Sequence, residues 1–244
     1  LGITSTRKIG VKEDRMKDKV VVATIKSWNS DQFKKLKTTM PNIEWILIRG
    51  KEDFTVEALN KIKPEYIFFP HWSWPIQKEV YEKYECIVFH MTDLPFGRGG
   101  SPLQNLISRG IYKTKISAIK VWEGIDSGPI YLKKDLDLTE GNATNIFKKA
   151  SNIIFEMIKE IIEKKPAPVV QKGKIITFNR RTPEQSEIPK DASLQKMYDW
   201  IRMLDGEGYP TAFIQTPTFR LELADAIYKN GELTAKVRLR RKNR

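Results

Sequence analysis

The sequence predicts an α/β protein built on a mostly parallel, doubly wound sheet with helices on both faces, followed by a small C-terminal subdomain. Three observations carry that expectation. Between residues 20 and 90, short β-branched or aromatic runs alternate with helical segments over short connections, the pattern of repeated strand and helix units. The runs are apolar throughout, as strands buried on both faces must be. At 244 residues and 40% hydrophobic content, the chain can also bury a full core.

Taken in order, Val20 to Ile25 is a β-branched strand ending at SWNSD, and Asp31 to Lys37 reads as a helix capped by Asn29 or Ser30. IEWILIR at 43–49 is the next strand. Phe54 to Ile62 has helical spacing before Pro64, and EYIFFP at 65–70 is strand again. PIQKEVYEKY at 75–84 opens with a proline suited to a first helical turn, and Cys86 to Phe89 is a strand that delivers His90. A helix is expected over Ser101 to Arg109, a strand over Lys115 to Trp122, a turn at EGIDSGP (123–129) and an antiparallel return over Ile130 to Leu138. Asn142 caps the longest helix, whose stripe of Ile146, Phe147, Ala150, Ile154, Met157, Ile158 and Ile161 runs until Pro166.

After residue 166 the texture becomes rich in turn residues. A helix is expected over Ser193 to Leu204 and three short strands over 211–240. The expected organisation is a polar basic leader at 1–17, a catalytic domain at 18–166 and a small subdomain at 167–244.

Composition narrows the function classes. No apolar run approaches the roughly 18 residues that span a bilayer, and residues 1–19 lack the apolar segment of a secretion signal, so the cytoplasm is the expected location and a membrane is not an expected partner. The single cysteine, Cys86, excludes an internal disulfide framework and a cysteine-based zinc cluster; within an apolar strand it reads as a small buried hydrophobe. A net charge of +13 favours anionic partners. Part of that excess lies at the ends, in Arg7, Lys8, Lys12, Arg15, Lys17 and Lys19 and in Arg238, Arg240, Arg241, Lys242 and Arg244. The first strand is followed by TIKSWNS, which is no dinucleotide fingerprint, and GRGGS at 97–101 lacks the lysine spacing of a phosphate loop.

His90, one of two histidines, stands where a buried strand emerges at its carboxyl end, the usual ligand side of an open α/β sheet. Asp126 lies in a tight turn downstream, and the glycines of LPFGRGGSP leave backbone N–H groups open to a ligand. A carboxylate beside an imidazole fixes its tautomer and favours its charged form, giving a site that stabilises an oxyanion and moves a proton. On residues alone, a satisfied structural histidine and a turn-capping aspartate are the more ordinary reading, and the catalytic pair stays open beside it.

HMTDLPFGRGGSPLQNLI followed by KVWEGIDSGPIYL resembles the folate-dependent formyltransferase superfamily in loop, turn and separation. The likeness is concentrated in residues 60–140 and is compatible with a Rossmann-like formyltransferase fold over 18–165. It implies that His90 and Asp126 are the catalytic pair. One departure stands out: the family's catalytic asparagine, two residues before the histidine, is here Val88, which has no donor. HWSW at 71–74 supplies substitutes, of which His71 and Ser73 are preferred over Trp72 and Trp74.

Within the superfamily, FNRRTPEQSEI and IRMLDGEGYPTAFI resemble sugar N-formyltransferases, with further likeness to the pseudaminic-acid subgroup and to formylation domains of nonribosomal peptide synthetases. The implied reaction takes a formyl group from 10-formyltetrahydrofolate to a nucleotide-linked amino sugar, without a metal. The resemblance places the folate near Trp74, Ile76, Val88, Glu123, Gly124, Ile125 and Asp126, and the acceptor near Met91, Thr92, Gly97, Arg98 and Gly99, with Arg180 and Arg181 on its phosphates or in a merely solvated turn. The segment after 166 looks short for the tRNA-binding domain of methionyl-tRNA formyltransferases. That enzyme, or a non-catalytic nucleic-acid-binding protein on the same scaffold, is the alternative.

Overall fold

The computed structural model describes residues 17–242. Arg7, Lys8, Lys12, Arg15 and Arg244, and all of the leader but Lys17, lie outside the described residues. The first half of the chain runs β1 (Lys19–Ala23), α1 (Asn29–Thr39), β2 (Glu44–Ile48), α2 (Val56–Ile62), β3 (Tyr66–Phe69), α3 (Lys78–Tyr81), β4 (Glu85–His90), β5 (Phe96–Gly99) and α4 (Pro102–Ile107). The second half runs β6 (Lys113–Lys120), β7 (Ile130–Asp137), α5 (Ala143–Lys164), β8 (Ile176–Phe178), α6 (Leu194–Leu204), β9 (Ala212–Gln215), β10 (Phe219–Lys229) and β11 (Glu232–Arg241).

The main sheet has the order β2-β1-β3-β4-β6-β7. Its first four strands are parallel, with Val21 opposite both Ile46 and Ile67, and Ile67 opposite Cys86. β6 and β7 join antiparallel, and the pairing of His90 with Ser117 fixes where β4 ends. Helices cover both faces, as the continuous apolar strands require. The α5 stripe, with Phe33 and Leu36 of α1, closes one face; Leu59 of α2 and Val80 of α3 close the other, where Cys86 is buried. Burial pushes the Cys86 thiol up to about 12, with Glu85 adding to the effect, so the residue is the inert small hydrophobe that its strand position suggests.

Residues 166–242 extend the first core. Ile201, Met203 and Leu204 of α6, Ala212 of β9 and Leu223 of β10 join the cluster that contains the α5 stripe. α6 is anchored by a fully buried ion pair: Arg202 Nε donates to Asp199 Oδ1 at 2.7 Å, Arg202 Nη1 donates to the Leu138 and Gly141 carbonyls at 2.8 and 3.0 Å, and the Tyr112 hydroxyl donates to Asp199 at 2.6 Å. β9, β10 and β11 form a separate antiparallel sheet whose edge strand carries the Arg238, Arg240 and Arg241 cations.

Three local expectations change. α1 starts at Asn29, and its N-cap, Trp28, makes no side-chain cap, because the Asn29 amide turns into the interior. α3 is a single turn capped by Gln77, so Pro75 lies ahead of it and not in its first turn. GRGG is no free loop: it forms β5, paired with β8, where the left-handed φ of +104° at Gly99 and a Cβ position only 2.3 Å from the Phe178 carbonyl require glycine.

Candidate active site

His90 is the last residue of β4 and is 8% exposed. Its Nε2 lies 2.7 Å from the Gly97 carbonyl and its Nδ1 lies 3.4 Å from Asp126 Oδ2. Both ring nitrogens therefore face oxygens. Asp126 projects from the turn between β6 and β7 with a left-handed φ of +49°, an uncommon conformation that aspartate tolerates better than most residues. Its Oδ2 also accepts the Gly99 N–H at 2.8 Å. Gln171 fastens this turn from below by donating to the carbonyls of Asp126 and Gly128, each at 2.8 Å.

The glycine loop therefore acts differently from the sequence expectation. Its polar backbone groups are turned inward: Gly97 holds His90, Gly99 holds Asp126, and the Gly100 N–H donates to the Phe178 carbonyl at 3.0 Å. Thr92 is fully buried with its hydroxyl on the Gly97 carbonyl, and Arg98 is clamped on Gln171 Oε1 at 2.8 and 3.1 Å. Neither borders the cleft, because each has a partner that fixes the loop.

A cleft of about 410 Å³ opens beside His90. Of the expected residues it is lined by His90, His71, Ser73, Met91, Arg180 and Arg181. Lys26, Gln104, Phe147 and Tyr209 also line it, and no aspartate or glutamate does. Arg180 and Arg181 are brought in by close backbone approach: a Cβ at Gly100 would sit 2.6 Å from the Arg180 Cα, and the Arg181 N–H donates to Ser101 Oγ at 3.1 Å. Burial, and then the neighbouring Arg109, pull the Arg181 guanidinium below its usual range. A half-buried cation beside a like charge, with no carboxylate in the cleft wall, favours an anionic ligand.

His71 follows β3 with a left-handed φ of +56°. Its Nδ1 lies 3.4 Å from the Asn29 amide nitrogen, which also donates to Thr24 Oγ1 at 2.7 Å and to the Pro70 carbonyl at 3.3 Å. Burial first, and the Lys26 charge second, push the His71 imidazole down to about 4. Val88 packs on the second core cluster together with Ile76 and Trp72, which explains an aliphatic residue at that point of β4. Trp74 meets Trp72 edge to face at 4.9 Å and lines a separate cavity with Phe54. Glu123 and Gly124 are exposed in the turn, where their carbonyls accept from Ser127 Oγ, while Trp122 and Ile125 are 57% and 76% exposed.

Sequence reasoning missed Lys26, Gln104, Tyr209 and Gln171, which reach the site from distant segments with no local pattern to mark them. Asn29 read as a helix cap and Phe147 as part of the α5 stripe; each has a second role at the cleft. Among the described residues, no three His, Cys, Asp or Glu side chains converge as a metal site, and no helix is long and apolar enough to cross a membrane.

Comparison with known proteins relates the chain to formyltransferases. A family model for the methionyl-tRNA formyltransferase C-terminal domain matches residues 183–240, within the segment that looked short for such a domain. Methionyl-tRNA formyltransferases of Rickettsia felis and Thermodesulfovibrio yellowstonii are 27% and 28% identical to the chain, over 75% and 62% of it. The chain spans 61% and 52% of the lengths of those two relatives. A sugar N-formyltransferase from Shewanella shares the fold, with 14% identity, a TM-score of 0.67 and coverage of 90% of this chain and 96% of that one. The solved methionyl-tRNA formyltransferase from Clostridium thermocellum is 54% identical, with a TM-score of 0.89, over 92% of this chain and 100% of that one. The higher identities thus fall on proteins named for methionyl-tRNA, not on the sugar subgroup suggested by the sequence. The chain belongs to the family of formyltransferases that includes the methionyl-tRNA formyltransferases.

Proposed function

We propose that the chain transfers a formyl group from 10-formyltetrahydrofolate to a primary amine, with His90 and Asp126 as the catalytic pair. The observation that carries this reading is the His90 imidazole, held between the Gly97 carbonyl and Asp126 at the wall of a cationic cleft. The side chains around the pair fit a flat heteroaromatic donor: Trp122 and Ile125 expose apolar surface on the strand end and turn that carry Asp126, and Trp72 presents an indole N–H with no partner. The bound donor supplies the activated formyl carbon. The neutral amine would bond to that carbon and the bond to the folate nitrogen would break, with the leaving nitrogen taking up the proton that the amine gives up. The His90 N–H, now on Gly97, donates to the oxygen on which charge develops, and Asp126 orients the ring and helps remove the proton that the amine loses.

The acceptor that the relatives' names favour is methionyl-tRNA. A second reading, an amino sugar linked to a nucleotide, is supported by the size of the cleft and by Lys26, Arg180 and Arg181 around it, since guanidinium forks suit phosphate oxygens. Incubation of the protein with 10-formyltetrahydrofolate and either charged initiator tRNA or a panel of nucleotide-linked amino sugars separates the two. Formylation of the tRNA alone excludes the sugar; formylation of a sugar alone excludes the tRNA. If no amine is formylated by the wild type, or if His90→Ala is as active as the wild type, the reading fails.

A further inference from the structure

Seven buried side-chain polar atoms among the described residues lack a hydrogen-bond partner, and four of them belong to residues lining the cleft: His71, Trp72, Gln104 and Arg181. An unpaired polar atom removed from water is costly, so a concentration of them at one place marks where a ligand completes the bonding. His71 is the one whose chemistry is fully determined. The Asn29 amide nitrogen faces its Nδ1 at 3.4 Å, and the Asn29 orientation is itself fixed, because its carbonyl oxygen accepts from Ser151 and its NH2 donates to Thr24 and Pro70. A proton on Nδ1 would point at the donor hydrogens of that NH2, so Nδ1 is the unprotonated nitrogen and Nε2 carries the proton. The ring stands edge to face against Trp28 and Phe147, with centroids 5.9 and 5.6 Å away, so its orientation is held from the sides as well. The left-handed backbone at His71 is a further cost that packing alone does not explain.

We propose that His71, oriented by Asn29, donates its Nε2–H to the oxygen of the transferred formyl group, acting as the second donor that Val88 does not provide. The inference rests on the formyl-transfer reading above. The ring or its cover must shift slightly to admit the oxygen, and once it does, a neutral donor in a low-dielectric setting is worth more than the same bond in water. His71 is then a catalytic residue, and Asn29 is its positioning residue.

The full chain contains only two histidines, so 15N-histidine labelling gives two imidazole spectra, and His90→Asn isolates that of His71. The expected result is the Nε2–H tautomer with no protonation down to pH 5; an Nδ1–H tautomer, or a ring that titrates at its ordinary value, overturns the assignment. In kinetics, His71→Leu is expected to lower kcat on the order of 100-fold with little change in either KM, the loss typical of removing one oxyanion donor. His71→Asn keeps an N–H donor and suits the left-handed backbone, so it retains most of the activity; His71→Asp suits the same backbone but offers only acceptors, so it lowers kcat. If His71→Leu does not fold, the comparison of His71→Asn with His71→Asp decides, and equal kcat in those two overturns the role. A wild type that formylates no amine overturns the underlying reading; an active wild type with a folded, fully active His71→Leu overturns the role of His71 alone.

Discussion

Asp126 meets His90 with the same carboxylate oxygen, Oδ2, that accepts the Gly99 N–H, at 3.4 and 2.8 Å. The glycine loop thus aims the carboxylate, and the carboxylate aims the imidazole. Asp126→Asn keeps the shape but removes the charge, and is expected to lower kcat by about 10²–10⁴-fold. His90→Asn should do the same, and unchanged circular dichroism would show that the fold is intact. Full activity in either variant would rule out the pair.

Arg180 and Arg181 are expected to act on the acceptor alone. Removal of a charge-assisted bond to a phosphate costs roughly 1.5–3 kcal/mol, so Arg181→Ala should raise the acceptor KM on the order of 10-fold or more and leave the donor KM in place. Steady-state kinetics with each substrate varied in turn measures the difference. Equal effects on both substrates would place the arginine elsewhere.

The depressed His71 imidazole links folding to pH. The unfolded chain protonates this group near 6.5 and the folded protein near 4, so between those values the unfolded state binds the extra proton. Stability from this residue is therefore complete above about pH 6.5 and falls as pH drops towards 4, by roughly 1–3 kcal/mol in total. Urea midpoints at pH 7 and pH 4.5 in wild type and His71→Asn test it; the variant should show the smaller drop.

The buried Arg202 and Asp199 pair predicts an asymmetric mutational response. Replacement of Asp199 by Ala strands the guanidinium, which keeps only its two carbonyl partners, and should cost about 3–5 kcal/mol. Exchange of an exposed pair, such as Lys159 with Glu163, should change stability by less than about 1 kcal/mol. Chemical denaturation of the two variants gives the comparison directly.

Cys86 should not react with a disulfide reagent such as Ellman's in the folded protein, because it is 1% exposed and its thiol is held up near 12. Reaction should appear only with denaturant, along the unfolding transition. Fast labelling under native conditions would show that β4 opens locally.

Much of the fold was legible because its strands are apolar runs and its long helix has a clear stripe; both are local periodicities. What escaped was non-local. β5 is a glycine-rich strand whose partner, β8, lies about 80 residues downstream, so no local pattern announces it. The start of α1 was missed because Asn29 has the composition of a cap and the environment of a core residue. At the site, His90 and Asp126 could be read from a strand end and a tight turn. Thr92 and Arg98 could not be told from cleft residues, since their partners, Gly97 and Gln171, are set by tertiary packing.

Gln171 has a consequence for engineering. Its side chain comes from beyond residue 166, yet it fastens both Asp126 and Gly128 in the turn between β6 and β7, and it anchors Arg98 beside the glycine loop. A unit cut after residue 166 would keep His90 and Asp126 and lose the brace that holds the Asp126 turn. A graft or domain exchange therefore has to carry more than residues 18–166: Gln171 for the turn, Arg180, Arg181 and Tyr209 for the cleft wall, and α6 for the core.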